Sequence, residues 1–393
     1  MKHSLYKLAG TCLAAGALAA CGGGGGGDDG SAAPQALATY ASGAVHGLGP
    51  VQVNGARYDE TGATVYDEAG AAVGAGALAL GMVVEVHAGE PVTSAGGGQV
   101  APASTIRYRS EIEGPVASVD AGAGVLTVLG QRIGVTPSTV FDDDLRGGLG
   151  RVRAGDVLEV YGFLDAAGAY VATRIEREDG DDPYKLRGAV QGLDTAAQTF
   201  RIGALTVSYA GLPAAAAVLA DGATVRVELR SAPDAAGHWP ATRVQGAAAA
   251  AGLPTGRVNS EIEGVVTAYA GPASFSVNGV AVDASQVARL PAGLGLGARV
   301  EVEGTLAGGV ITAREVELDD DRDAGEGLEV SGAIERVDAA VPSFVVRGIE
   351  VLHAGARFED GTAAQLAVGR QVEVTGVLSA DGNTLQASEV EFD

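Results

Sequence analysis

The sequence is poor in the residues that usually carry chemistry or cross-links. Two cysteines occur in 393 residues, Cys12 and Cys21. Cys12 lies in an N-terminal leader whose removal is expected, so one thiol remains, which excludes an intrachain disulfide and a multi-thiolate metal site. Aromatic residues make up 5% of the chain, with a single tryptophan, against 61 glycines. Such a composition makes thin cores and many turns, and several modest cores suit it better than one large one. No Gly-x-Ser-x-Gly elbow and no Gly-x-x-x-x-Gly-Lys phosphate cradle occurs. Of the histidines outside the leader, His46, His87, His238 and His353, no two stand at a ligand-like local spacing, so zinc has no local support. Positive charge is short as well: the formal net charge is −23, and loss of Lys2 and Lys7 with the leader makes it −25. A surface this negative repels phosphate backbones, so nucleic acid is not an expected partner.

What is present begins with an address. Residues 1–20 carry Lys2 and Lys7, then an apolar stretch through Leu13 and Leu18 that is too short to span about 30 Å of hydrocarbon. That is the pattern of a secretory signal peptide. Leu18-Ala19-Ala20-Cys21 resembles the bacterial lipobox, which implies that Cys21 is lipidated with palmitate and becomes the first mature residue. Residues 22–27 are all glycine, and Asp28, Asp29, Gly30 and Ser31 follow, giving residues 21–41 the character of a flexible tether. By resemblance to lipoprotein sorting, glycine after the cysteine favours the outer membrane. The expected partner on this side is therefore the membrane, through the anchor at Cys21.

The remainder is a repeat. The frame Gly-x-x-apolar-x-Val opens at Gly81, Gly155, Gly222, Gly297 and Gly369, at intervals of 74, 67, 75 and 72 residues, the length of a small domain. Around each frame lie short alternating runs rich in β-branched residues and separated by Gly, Asp or Asn, the mark of antiparallel strands with one buried face. A strand with a glycine opens the unit, as in Glu111 to Asp120, and two short strands and an irregular link follow. The frame supplies the fourth strand, and a pattern apolar-x-Ala-x-x-apolar, as in Tyr170 to Ile175, supplies the fifth. Five strands with the link between the third and fourth match the OB fold. The expectation is an all-β chain of five tandem, OB-like, five-stranded antiparallel barrels at residues 42–108, 109–183, 184–257, 258–326 and 327–393, after a lipoprotein signal peptide and a Gly-rich tether. A longer period overlies this one: Ser110-Glu111-Ile112-Glu113-Gly114 recurs 150 residues later as Ser260-Glu261-Ile262-Glu263-Gly264, so units two and three resemble units four and five.

On the opening Gly strand, the Gly-x-x-Val-Glu-Val-x-Gly strand and the closing strand, the units resemble the bacterial domain-of-unknown-function family 5666, with the second frame glycine present as Gly162, Gly304 and Gly376. Units one and three depart from it with Ala88 and Leu229 there. The resemblance implies β modules of exported proteins and brings no activity with it.

Candidate sites are few. The acidic runs at residues 176–182 and 319–323 offer Asp179, Asp181, Asp182, Asp319, Asp320 and Asp321 as weak calcium ligands. Neither has the twelve-residue loop spacing that ends in a bidentate Glu, and solvated hinges are the expected role. Glu111 and Glu113, like Glu261 and Glu263, lie two apart on a strand, opposite Ile112 and Ile262, and are expected on its wet side. Trp239, which aligns with Tyr170, Ile311 and Leu385, is expected in a core. The functional expectation is a non-enzymatic cell-envelope lipoprotein whose β modules bind or space. The alternatives are a calcium-dependent adhesion or glycan-binding protein and, third, an enzyme with a site between modules. No cofactor is expected.

Overall fold

Short runs of alternating apolar residues fold where the alternation predicts, each strand burying one face. The structure, a computed structural model, describes residues 39–94, 98–164, 169–180, 183–246, 253–318, 327–338 and 340–392. Barrel 2 shows the pattern. Its opening strand Ile112–Asp120 pairs with Val125–Val128, which pairs with Gln131–Phe141. That third strand runs parallel to the fifth, Tyr170–Glu178, which pairs with the fourth, Val157–Leu164, and the fourth returns to the opening strand. The circuit 1-2-3-5-4-1 is closed. Barrels 1, 3, 4 and 5 trace the same circuit. It is the strand order of the OB fold.

The repeated frame has a mechanical reason. Each frame-opening glycine has a φ between +80° and +94°, a region that a side chain makes costly. From there its N–H donates to the opening-strand carbonyl of Val45, Val116, Val190, Val266 or Ile334 at 2.8–2.9 Å. The same opening-strand residue donates its own N–H back to the residue after the glycine, again at 2.8–2.9 Å. This pair of bonds latches the fourth strand to the first and closes the barrel. The second frame glycine sits at a bulge between the fourth and fifth strands. A Cβ on Gly162, Gly304 or Gly376 would lie 2.1, 2.3 or 2.4 Å from the carbonyl oxygen of Val171, Thr312 or Gln386. Barrels 1 and 3 keep the bulge with Ala88 and Leu229, so the departure from the pattern leaves the fold intact.

The barrels do not hang as beads. Thr39 to Ser42 of barrel 1 pair in parallel with Asn259 to Ile262 of barrel 4, and Gly47 and Leu48 pair in parallel with Glu329 and Val330 of barrel 5. Ile112 and Glu113 of barrel 2 pair with Leu186 and Lys185 of barrel 3. Each of these contacts uses an opening strand on both sides. Residues 37–393 accordingly form one compact unit. Buried apolar residues follow suit: barrels 2 and 3 share one cluster, barrels 1 and 5 another, and barrel 4 has a third that takes in Tyr40 of barrel 1.

Candidate functional site

Charge converges where barrels 1, 2 and 3 meet. Strand alternation turns Ile112 into the barrel 2 core, fully buried, and turns Glu111 and Glu113 outward. Outward here does not mean wet, because barrel 3 covers that face. Glu113 keeps 3% of its surface, and its carboxylate lies 2.5 Å from the Lys185 ammonium, which also lies 3.0 Å from Glu68 of barrel 1. Arg187 pairs with Glu111 at 3.1 Å, and Arg226 pairs with Glu68 while donating to the Ser110 carbonyl at 2.9 Å. In barrel 4 the equivalent Glu263, also 3% exposed, is held by Arg299 at 2.6 Å and accepts the Ala44 N–H of barrel 1 at 3.1 Å. The expectation of solvent-facing glutamates is thus corrected. Alternation reports which face looks into a residue's own barrel, and it is silent about a second barrel that brings cations to the other face.

Three carboxylates, Glu68, Glu113 and Glu159, have oxygens within 4.8 Å of one another, and Glu159, Glu176 and Glu178 form a second such group. Lys185 lies among the first and Arg174 pairs with Glu176 at 2.6 Å, so cationic side chains already stand where a metal ion would be sought. Burial pushes the Glu159 carboxyl up to about 7, and the nearby charge of Glu176 adds to the effect, while the Tyr161 hydroxyl donates to it at 3.0 Å. Burial also raises Glu111, against the pull of Arg187. Glu263 moves the other way: burial works against its charge, yet Arg299 and His46 hold it below the ordinary carboxylate range.

Other seams are built alike. Arg57 of barrel 1 reaches Glu329 and Glu373 of barrel 5, and Arg347 of barrel 5 reaches Glu60 of barrel 1 at 3.3 Å. Between barrels 2 and 5, Arg146 and Glu350 lie 2.6 Å apart, and the Phe141 N–H donates to the Gly382 carbonyl at 2.7 Å.

Of the residues singled out in the sequence, Asp179 is exposed and belongs to neither carboxylate group. Cys21, Asp181, Asp182, Asp319, Asp320 and Asp321 lie outside the described residues. On either side of the first acidic junction, Glu176 pairs with Arg174 of its own strand at 2.6 Å and Lys185 pairs with Glu113. Trp239 keeps its expected register, facing Val207 as Tyr170 faces Ile133, Ile311 faces Val282 and Leu385 faces Val351. Its indole is only half-buried, though, leaning on the Tyr184 ring at 5.9 Å. Sequence reasoning missed Lys185 and Arg187, although their alternation on one strand matches Glu111 and Glu113 on the other. Glu68, in a turn of barrel 1, carried no such signal.

These features define a class: closed OB-type barrels in tandem, joined through their opening strands by buried ion pairs. Residues 113–176, 263–317 and 331–391 match the family described as Domain of unknown function (DUF5666). The three regions fall on barrels 2, 4 and 5, so the chain carries that domain in tandem. No curated protein matches the chain.

Proposed function

We propose that the chain is a non-enzymatic lipoprotein of the cell envelope, held to the membrane at Cys21, whose five barrels act together as a rigid scaffold or spacer. The observation that carries this reading is the pairing of opening strands between barrels, with matched charges along the seams. Converging side chains that are already engaged with one another serve cohesion. Strand pairing between barrels adds a stiffness that a string of linked modules lacks. Small-angle scattering of the mature Cys21→Ser chain tests the stiffness: a packed body of this length has a radius of gyration near 20 Å, and a value well above that overturns the reading. Labelling with radioactive palmitate tests the anchor, since Cys21→Ala abolishes it if the reading holds.

A second reading, calcium-dependent adhesion, draws on the closeness of Glu68, Glu113 and Glu159. Lys185 in their midst weighs against it. Calorimetry with calcium separates the two: the scaffold reading expects no saturable heat, and saturable heat lost in Glu159→Gln favours adhesion.

A further inference from the structure

Where barrels 1, 2 and 3 meet, three carboxylates stand in one row across the sheet of barrel 2. Glu113 of the opening strand is directly across from Glu159 of the fourth, and Glu159 is directly across from Glu176 of the fifth. The outer two have cations beside them, Lys185 at 2.5 Å from Glu113 and Arg174 at 2.6 Å from Glu176. The middle one is met by neutral donors, the Tyr161 hydroxyl at 3.0 Å and the Ser110 hydroxyl, and the pull of Lys185 on it is smaller than the push of Glu176. Glu68 of barrel 1 brings an oxygen within 4.8 Å of Glu113 and Glu159, and Glu178 comes as close to Glu159 and Glu176. Arg226 pairs with Glu68, Glu228 faces Lys185 and pairs with Arg243 at 3.3 Å, and the Tyr108 phenol of barrel 1 feels both Glu159 and Glu176. One position along the sheet, Glu111 and Arg187 pair at 3.1 Å, within range of Arg109 and Glu85. Like charges directly opposite on a sheet repel, and carboxylates that share a site keep a proton that each alone would lose.

The hold on barrel 1 depends on that proton. Barrel 3 is fixed to barrel 2 by backbone pairing of Ile112 and Glu113 with Leu186 and Lys185, which no titration removes. Glu68, in the turn at residues 67–71, is held instead by side chains: Lys185 at 3.0 Å, Arg226, and the Ser110 hydroxyl at 3.3 Å. Ser110 has one hydroxyl proton to give, and Lys185 already serves Glu113 as well. While Glu159 is protonated, these donors stay with Glu68. Once Glu159 ionises, it competes for Ser110 and Lys185 and repels Glu68 directly. We propose that this junction is a proton-operated clasp, in which a proton held by the carboxylate row keeps the Glu68 turn seated on barrels 2 and 3 and loss of the proton releases the turn. Burial and the charge of Glu176 raise Glu159 to about 7 in the closed junction against an ordinary 4.5, so the closed clasp binds the proton more tightly than the released one. The ratio of closed to released turn therefore falls about tenfold for each pH unit between 4.5 and about 7 and levels off above.

The test is double electron–electron resonance on the mature Cys21→Ser chain, which has no other thiol, with nitroxides at Ala69→Cys in the turn and Ala216→Cys in barrel 3, both exposed positions. One narrow distance at pH 5 is expected, and a second, longer one that grows up to pH 7 and holds steady at pH 8. Glu159→Gln, neutral and of the same shape as the protonated carboxyl, keeps the single distance at every pH. A distribution that is the same at pH 5 and pH 8 overturns the proposal, and so does a change with pH that survives Glu159→Gln. Infrared spectroscopy reads the proton itself: at pH 6 the carbonyl band of protonated carboxyls is weaker in Glu159→Gln than in the parent chain, and equal bands overturn the proposal even where the turn moves. Release of one turn leaves the radius of gyration unchanged, so the scaffold reading is judged separately.

Discussion

Barrels 2 and 4 carry the same five residues, Ser-Glu-Ile-Glu-Gly, and use them differently. In both, the second glutamate stands directly across from a glutamate of the fourth strand, Glu113 from Glu159 and Glu263 from Glu301. Like charges so placed repel, and a cation must offset them. Barrel 4 supplies it from within, through Arg299 on its own fourth strand. Barrel 2 receives it from outside, through Lys185 on the opening strand of barrel 3. One motif therefore makes a barrel whose main counter-charge is its own, with barrel 1 adding the Ala44 N–H, and another whose counter-charge arrives only when its neighbour is docked. The position of a carboxylate in a repeat tells less about its role than the origin of its counter-charge.

The sharpest way to break this contrast is to remove each cation. Lys185→Met leaves Glu113 buried without Lys185, costs about 3–5 kcal/mol in denaturant unfolding, and exposes the junction of barrels 2 and 3 to protease. Arg299→Met costs a similar amount but loosens barrel 4 itself and leaves that junction resistant. Equal protease sensitivity at the 2–3 junction in both variants would show that the contrast is false.

Acid is expected to act in opposite senses on the two barrels. Glu159 is raised to about 7 in the folded state against an ordinary value of 4.5, so the fold holds a proton that the unfolded chain gives up. Its contribution is fully present below pH 4.5 and is lost as pH rises to about 7, a change on the order of 3 kcal/mol. Glu263 is lowered, so its contribution is present above the ordinary carboxylate range and fades as pH falls through its depressed value. Urea midpoints measured from pH 4 to 8 check this: Glu159→Gln reduces the loss between pH 4.5 and 7, leaving the smaller part due to other raised carboxyls such as Glu111, and a slope unchanged by the substitution refutes the assignment.

Smaller effects separate barrel 3 from the others. Because its indole is half-buried, Trp239→Ala costs about 2 kcal/mol, below the 3–5 kcal/mol usual for a fully buried aromatic. Emission from this single tryptophan is intermediate in wavelength and partly quenched by acrylamide; fully water-like emission contradicts the observed packing. Smallest is Gly369→Ala, about 1–2 kcal/mol for a side chain forced to positive φ, read as a shift in thermal midpoint.

The barrel circuit was legible in the sequence because its devices repeat. A positive-φ glycine at a fixed place in every frame, and a bulge glycine seven residues further on at Gly162, Gly304 and Gly376, mark the same two strands each time. The seams were not legible because they do not repeat: Lys185 answers Glu113 only in barrel 3, and Glu68 comes from a turn with no counterpart in the frame. Trp239 shows the intermediate case, where alignment gave the register correctly and overstated the burial.

The opening strand of barrel 1 has one consequence for how the molecule assembles. Thr39 takes its partner from Asn259, and Gly47 takes its partner from Glu329, so a strand near the N-terminus waits for residues more than 200 positions later in the chain. Contacts of such high sequence separation form slowly. During synthesis barrel 1 emerges first, and until barrels 4 and 5 arrive the side of its opening strand that pairs with them is a template on which another copy could pair.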